Sequence, residues 1–173
     1  VVAHGESGSG KTHTMLGTPQ HAGVVPRSLR LLFAYAMHRG ARTLHLHVQL
    51  QVLEIYQERV YDLLGDPLAA LRLQHDATTA IAHVPGAHRV AVTDPEHATR
   101  VLHDAAALRR CAQTARNASS SRSHLLIVVR TRCRDLLSGS TTRGKATFVD
   151  LAGSESAHDG ARHGVALDEA KCI

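Results

Sequence analysis

The sequence predicts an α/β domain of three layers, with a mainly parallel central sheet flanked by helices. Three observations carry that prediction. A glycine-rich loop, Gly5-Glu6-Ser7-Gly8-Ser9-Gly10-Lys11-Thr12, sits between an apolar lead-in (Val1-Val2-Ala3) and a helix-compatible stretch from Thr12 to Leu16. From Thr43 to Leu53 the chain alternates apolar and polar residues, the period of a strand with two different faces. Later, the apolar run Ala146-Thr147-Phe148-Val149 ends on Asp150, as a strand that delivers an acid to the end of a sheet would.

The first loop satisfies G-x-x-x-x-G-K-[ST] at every fixed position. Its glycines let the backbone turn so that N–H groups converge into a concave nest for phosphate oxygens. Lys11 is long enough to reach the β- and γ-phosphates, and the Thr12 hydroxyl is a natural Mg²⁺ ligand. A helix beginning near Gly10 would aim its positive end at the same anion. The reading is thus of a site for a nucleoside triphosphate with Mg²⁺.

At 173 residues the chain fits one domain with a substantial core. Aromatic residues are 3% of the sequence and Trp is absent, so that core must be aliphatic. The formal charge of +5 is spread along the chain, which permits an acidic partner without identifying one. Cys111, Cys133 and Cys172 have no paired spacing and read as reduced thiols of an intracellular protein. No apolar segment is long enough to span a membrane and no signal peptide is visible, so no membrane partner is expected; a nucleic-acid partner is not expected either. With no initiator Met and a first strand that reads as already under way, residues 1–173 are expected to be a piece truncated at both ends.

Along the chain, Gly17-Thr18-Pro19 ends the first helix, and Pro26 suits the first turn of a second. Leu29, Leu32, Phe33 and Ala36 recur there at helical spacing, and Arg39-Gly40 closes it. In the strand that follows, Leu44, Leu46, Val48, Leu50 and Val52 point one way, and His45, His47, Gln49 and Gln51 the other. A metal site at His45/His47 lacks a third ligand, and 14 scattered histidines read as compositional bias. Leu53 to Leu64 continues from this strand, and Gly65-Asp66-Pro67 breaks it. Leu71–Leu73 and Ala80–Val92, interrupted by Pro85-Gly86, suggest a small hairpin off the main sheet. Asp94 is the expected cap of a third helix starting at Pro95, with Val101, Leu102, Ala105 and Leu108 as its buried stripe.

Two further segments complete a phosphate site. Asn117-Ala118-Ser119-Ser120-Ser121-Arg122-Ser123-His124 precedes a strand from Leu125 to Thr131. Short hydroxyls can contact a terminal phosphate and Mg²⁺ without bulk, and Arg122 can form a bidentate pair. In Asp150-Leu151-Ala152-Gly153-Ser154-Glu155, Asp150 would hold Mg²⁺ through water, Gly153 can bring a bare N–H to a γ-phosphate, and Glu155 is a plausible partner for Arg122. A serine-rich loop or a turn Asp alone would mean little; three phosphate-site elements in this order mean a P-loop NTPase.

At these residues the chain resembles the kinesin motor domain. GxxxxGKT followed by His13-Thr14-Met15, then GVVPRSL, LEIYQERVYDLL, NASSSRSH and DLAGSE are similar to its signatures in sequence and order. Leu167-Asp168-Glu169-Ala170-Lys171 resembles the start of the helix that seats kinesins on tubulin. The resemblance implies that Gly5 to Thr12 cradle the nucleotide, with His13 beside the adenine. Asn117, Ser120, Ser121 and Arg122 would form the first switch. Asp150, Gly153 and Glu155 would form the second. It assigns Thr12, Ser121 and Asp150 to Mg²⁺, and an Arg122–Glu155 bridge to closing the switches around the attacking water. The implied activity is microtubule-stimulated ATP hydrolysis in the intact parent, located on the cytoplasmic microtubule cytoskeleton, with Arg89, Arg162 and Lys171 as candidate tubulin contacts. The isolated piece is expected to be inactive and prone to aggregate.

Three departures stand out. GESGSGKT replaces the GQTGSGKT common in kinesins and resembles the loop of myosin, an actin motor; Ala118 stands where a Glu is usual; and the family's N-terminal strand, most of its tubulin-binding helix and its neck are absent. Besides the microtubule motor, the readings that remain are a non-enzymatic pseudo-motor remnant and a myosin-like actin motor. Direction of travel, cargo, subfamily and oligomeric state are not written in these residues.

Overall fold

The computed structural model describes residues 1–38, 43–75, 82–115 and 120–154. One sheet of seven strands dominates it. Their spatial order is β1 (Val2–Ala3), β9 (Thr141–Asp150), β8 (His124–Asp135), β2 (Leu44–Tyr56), β3 (Arg59–Asp62) and β4 (Ala70–Leu71). The seventh strand, β7 (Val90–Val92), pairs with β2 on the same edge as β3 but further back along it. A separate two-stranded piece is made by β5 (Gln74–His75) and β6 (Ala82–His83).

The expected alternation of β2 decides what lies on each side. Val48, Leu50 and Val52 are at most 2% exposed and face helices α2 (Val24–His38) and α3 (Pro95–Ala115). Ile127, Val129 and Phe148 occupy the same face in register, and Leu29, Ala98, Leu102 and Ala105 close over them from the helices. Each such side chain withdrawn from water contributes about 1.5–3 kcal/mol, so this aliphatic face holds the sheet to its helices. Asp94 caps α3 as expected: its Oδ1 accepts the His97 N–H at 2.7 Å.

Sequence periodicity misplaced several details. Pairing is mixed rather than mainly parallel among the described residues: β1 runs parallel to β9, and the other pairs are antiparallel. Short connections between β2 and β3 and between β8 and β9 allow no crossover, so these neighbours must reverse direction. The two long helices also share one face, so only two of the three expected layers lie within the described residues. The β2–β3 turn consists of Gln57 and Glu58, both left-handed (φ 47° and 58°), which matches the twist of a two-residue hairpin without the usual Asn-Gly. The expected hairpin is formed by Gln74–His75 with Ala82–His83, while Val90–Val92 returns to the main sheet. Asp62 anchors that return by accepting the Leu64 and His88 N–H groups and the His88 ring at 2.6–2.9 Å. On α3, Leu108 is 38% exposed, and the buried stripe runs instead through Arg109, Ala112 and Gln113. Arg39-Gly40 lies outside the described residues.

Candidate nucleotide-binding site

Parallel pairing of β1 with β9 places Ala3 beside Asp150, so the loop leaving β1 and the segment leaving β9 start from one sheet edge. Gly8 and Gly10 take φ of 78° and 87°, where a side chain would be strained, and Gly5 has no room for a Cβ, which would meet Ser9 Oγ at 2.8 Å. Lys11 Nζ donates to the Gly5 and Glu6 carbonyls, both at 2.8 Å, and so holds the loop in its curl. Helix α1 spans only Lys11–Met15. One turn and a half makes a weak dipole, and the anion-binding capacity of the loop rests on its backbone N–H groups.

Thr12 and Asp150 meet at the base of this nest. The Thr12 hydroxyl donates to Asp150 Oδ2 at 2.5 Å, while Asp150 Oδ1 is buried and has no hydrogen-bond partner among the described residues. The segment after β9 is tied to both neighbours: Gly153 N–H donates to the Ser121 carbonyl at 2.7 Å, and Ser154 N–H to the Gly5 carbonyl at 3.1 Å. The segment after β9 therefore touches both of the other motifs directly.

Behind Asp150 lies a buried polar cluster. Glu54 is completely buried, and its Oε1 accepts from Arg109 Nε (3.1 Å), Gln113 Nε2 (2.7 Å) and Ser123 Oγ (2.8 Å). Arg109 also donates to the Ser123 carbonyl and hydroxyl, and its Nη1 lies 3.8 Å from Asp150 Oδ2. Burial by itself would raise the Glu54 pKa, but hydrogen bonds from Ser123 and Gln113 and the Arg109 charge outweigh it and hold the carboxyl below its ordinary range. Ser123 directly follows the first switch motif, so the cluster joins both motifs to strand β2.

His124 makes the last link, accepting the Ala152 N–H on Nδ1 at 3.0 Å. Accepting there requires a neutral ring with its proton on Nε2. Burial, then the Arg109 charge, lowers the His124 pKa, with Asp150 opposing. The folded state thus binds this proton less readily than the unfolded one. The contribution is complete above the ordinary value of 6.5 and is lost as pH falls through the lower folded value. Between pH 7 and pH 5 the urea midpoint should drop further for the native sequence than for His124→Gln, whose amide accepts the same bond without titrating. Equal drops would show that His124 does not carry the effect.

The family model of the kinesin motor domain matches residues 1–173. The chain belongs to the kinesin motor-domain family. It is 36% identical over its whole length to Kinesin-like protein 3 of Schizosaccharomyces pombe, covering 31% of that protein. It is 36% identical to Kinesin-like protein KIF22 of Mus musculus (26% covered) and 32% to the kinesin heavy chain of Strongylocentrotus purpuratus (17% covered). Among solved structures it superposes on a fast kinesin with a TM-score of 0.88 at 32% identity, over 99% of this chain and 49% of that one. The motor of the Kar3Vik1 assembly gives 0.81 at 28% identity, with 43% of that chain covered. The chain thus spans less than a third of these curated relatives and about half of the matched motor structure.

In this chain the loop Gly5, Glu6, Ser7, Gly8, Ser9, Gly10, Lys11 and Thr12 is brought together with Ser121, Asp150 and Gly153. His13 is exposed at its rim, and Ser120 to Arg122 form a short 3-10 turn beside it. Asn117, Glu155, Arg162 and Lys171 lie outside the described residues. Missed from sequence were Glu54, Arg109 and Gln113. Their signal was present: a Glu in the helix-facing register of an aliphatic strand demands a cation, and α3 offers Arg109 and Gln113 one turn apart on its inner face.

Proposed function

We propose that this chain is the phosphate-gripping and switch portion of an ATP-hydrolysing microtubule motor. The observation that carries the reading is the Thr12–Asp150 contact at the floor of the lysine-closed nest. Two hard oxygen donors there, one belonging to a carboxylate with an unsatisfied buried oxygen, are suited to Mg²⁺. Thr12, Ser121 and Asp150 would hold the ion, which when bound offsets charge on the β- and γ-phosphate oxygens. Lys11 and the loop N–H groups bind and orient the triphosphate, with His13 against the adenine and Asn117 contributing from the first switch. Ser120 and Gly153 border the γ-phosphate; Arg122 pairs with Glu155 to enclose the attacking water and accept its proton. Little covalent chemistry is asked of the protein, so positioning and charge stabilisation supply most of the rate. The proposed partner is the microtubule, and the proposed location the cytoplasmic cytoskeleton.

The test is ATP turnover by the intact parent protein with microtubules, with actin and with neither. Stimulation by microtubules alone is expected, with no stimulated turnover from residues 1–173 by themselves. Stimulation by actin, or by neither polymer, sinks the reading. Arg122→Ala and Glu155→Ala should each remove stimulated turnover while changing ATP affinity by less than about 3-fold. The double variant should be no worse than either single one, because groups acting as a unit are non-additive. Losses that multiply would mean the two residues act apart.

A further inference from the structure

On the sheet face opposite the helices, the far ends of three strands bring basic residues into register. Cross-strand neighbours form two basic rows, His45–Arg134 and His47–Arg132–Arg143; a third row places Arg130 between Gln49 and Lys145. Arg89, just before β7, lines the same cavity as Arg130 and Lys145. Along a strand, residues two apart stand about 6.6–6.8 Å from each other, and neighbouring strands lie about 4.8 Å apart. The cations therefore make a two-dimensional array, not a line.

Two open cavities of about 590 and 790 Å³ sit on this array and share His47, Arg132 and Arg143. No Asp or Glu is among the described residues lining either one. Arg130 Nη1 is buried without a hydrogen-bond partner among the described residues. Burial and the neighbouring Arg89 charge lower the Arg130 pKa, the signature of a cation lacking a counter-charge. Arginine forks suit phosphate oxygens bidentately. Among the described lining residues there is no Phe, Tyr or Trp, the large rings on which the bases of a single-stranded nucleic acid stack best. An extended acidic peptide would engage a single row at a time.

We propose that this face binds a compact, multiply phosphorylated anion, at a site separate from the nucleotide nest. Arg143 lies seven residues back along β9 from Asp150, about 23 Å away at strand rise. The proposal does not depend on the motor reading.

The experiment titrates inositol hexakisphosphate and tripolyphosphate into the intact parent protein saturated with ADP. One-to-one binding is expected, unchanged by Lys11→Ala and weakened at least 30-fold by Arg132→Gln combined with Arg143→Gln. Both positions are solvent-facing strand residues, and unchanged ADP affinity would verify that the variant is folded. Vesicles containing phosphatidylinositol 4,5-bisphosphate, beside vesicles of phosphatidylcholine, separate a lipid headgroup from a free ligand as the source. Absence of binding, displacement by ADP, loss with Lys11→Ala, or undiminished binding by the double variant would each overturn the site. So would tighter binding of a polyglutamate peptide or a single-stranded oligonucleotide than of either phosphate probe.

Discussion

Arg109→Ala is expected to destabilise the protein by about 3–5 kcal/mol, the usual consequence of stripping the partner from a buried ion pair. Glu54 is wholly buried and Arg109 is the cation paired with it; the other described donors to its carboxylate, Gln113 and Ser123, carry no charge. The same substitution removes the cation beside Asp150 and two hydrogen bonds to Ser123. Since a domain is stable by roughly 5–15 kcal/mol, one such change can take most of the margin. Urea denaturation of the intact parent measures it. The paired change Glu54→Leu with Arg109→Met, which leaves no charge behind, should recover more than half of the loss. A loss below about 1 kcal/mol for Arg109→Ala would mean that solvent reaches the cluster and that it does not brace the two motifs.

Lys11→Ala is expected to weaken ATP binding by at least 100-fold. In the structure the Lys11 ammonium spans two carbonyls across the mouth of the loop, so the same group shapes the nest and faces the anion. Alanine withdraws both the charge and the brace. Arginine should not restore binding, because its wide planar head cannot occupy the space of a point charge between the Gly5 and Glu6 carbonyls. Equilibrium binding of a fluorescent ATP analogue decides it: unchanged affinity would end the phosphate-loop reading, and recovery by Lys11→Arg would end the geometric part of it.

Local signals made the nest, the Asp94-Pro95 helix start, the β2 alternation and the Asp150 strand end legible, because each depends on residues within one or two turns of each other. What stayed hidden depends on register. Reading α3 by its apolar residues alone selected Leu108, whereas the buried position is the next one, Arg109, which enters the core because Glu54 waits across it. Strand β8 was expected to stop at Thr131 and β9 to start at Ala146, since charged residues end an apolar run. Both extend outward, to Asp135 and from Thr141, because each supplies the other's ladder. The basic array lies in those extensions and could not be seen until the strands were laid side by side. Gln57-Glu58 carries no turn signature, and only the pairing of Tyr56 with Arg59 reveals the hairpin.

The Thr12–Asp150 contact joins residues separated by 138 positions, and that separation bears on how the protein is made. During synthesis the phosphate loop leaves the ribosome long before strand β9 exists. At 5–20 residues per second, roughly 7–28 seconds pass before Asp150 is added. Throughout that interval β1 has no parallel neighbour and the nest has no floor. Nucleotide in the cell therefore cannot template the early chain; the helix-backed β2–β8 sheet must assemble first, and the phosphate loop, though made before it, acquires its native surroundings later.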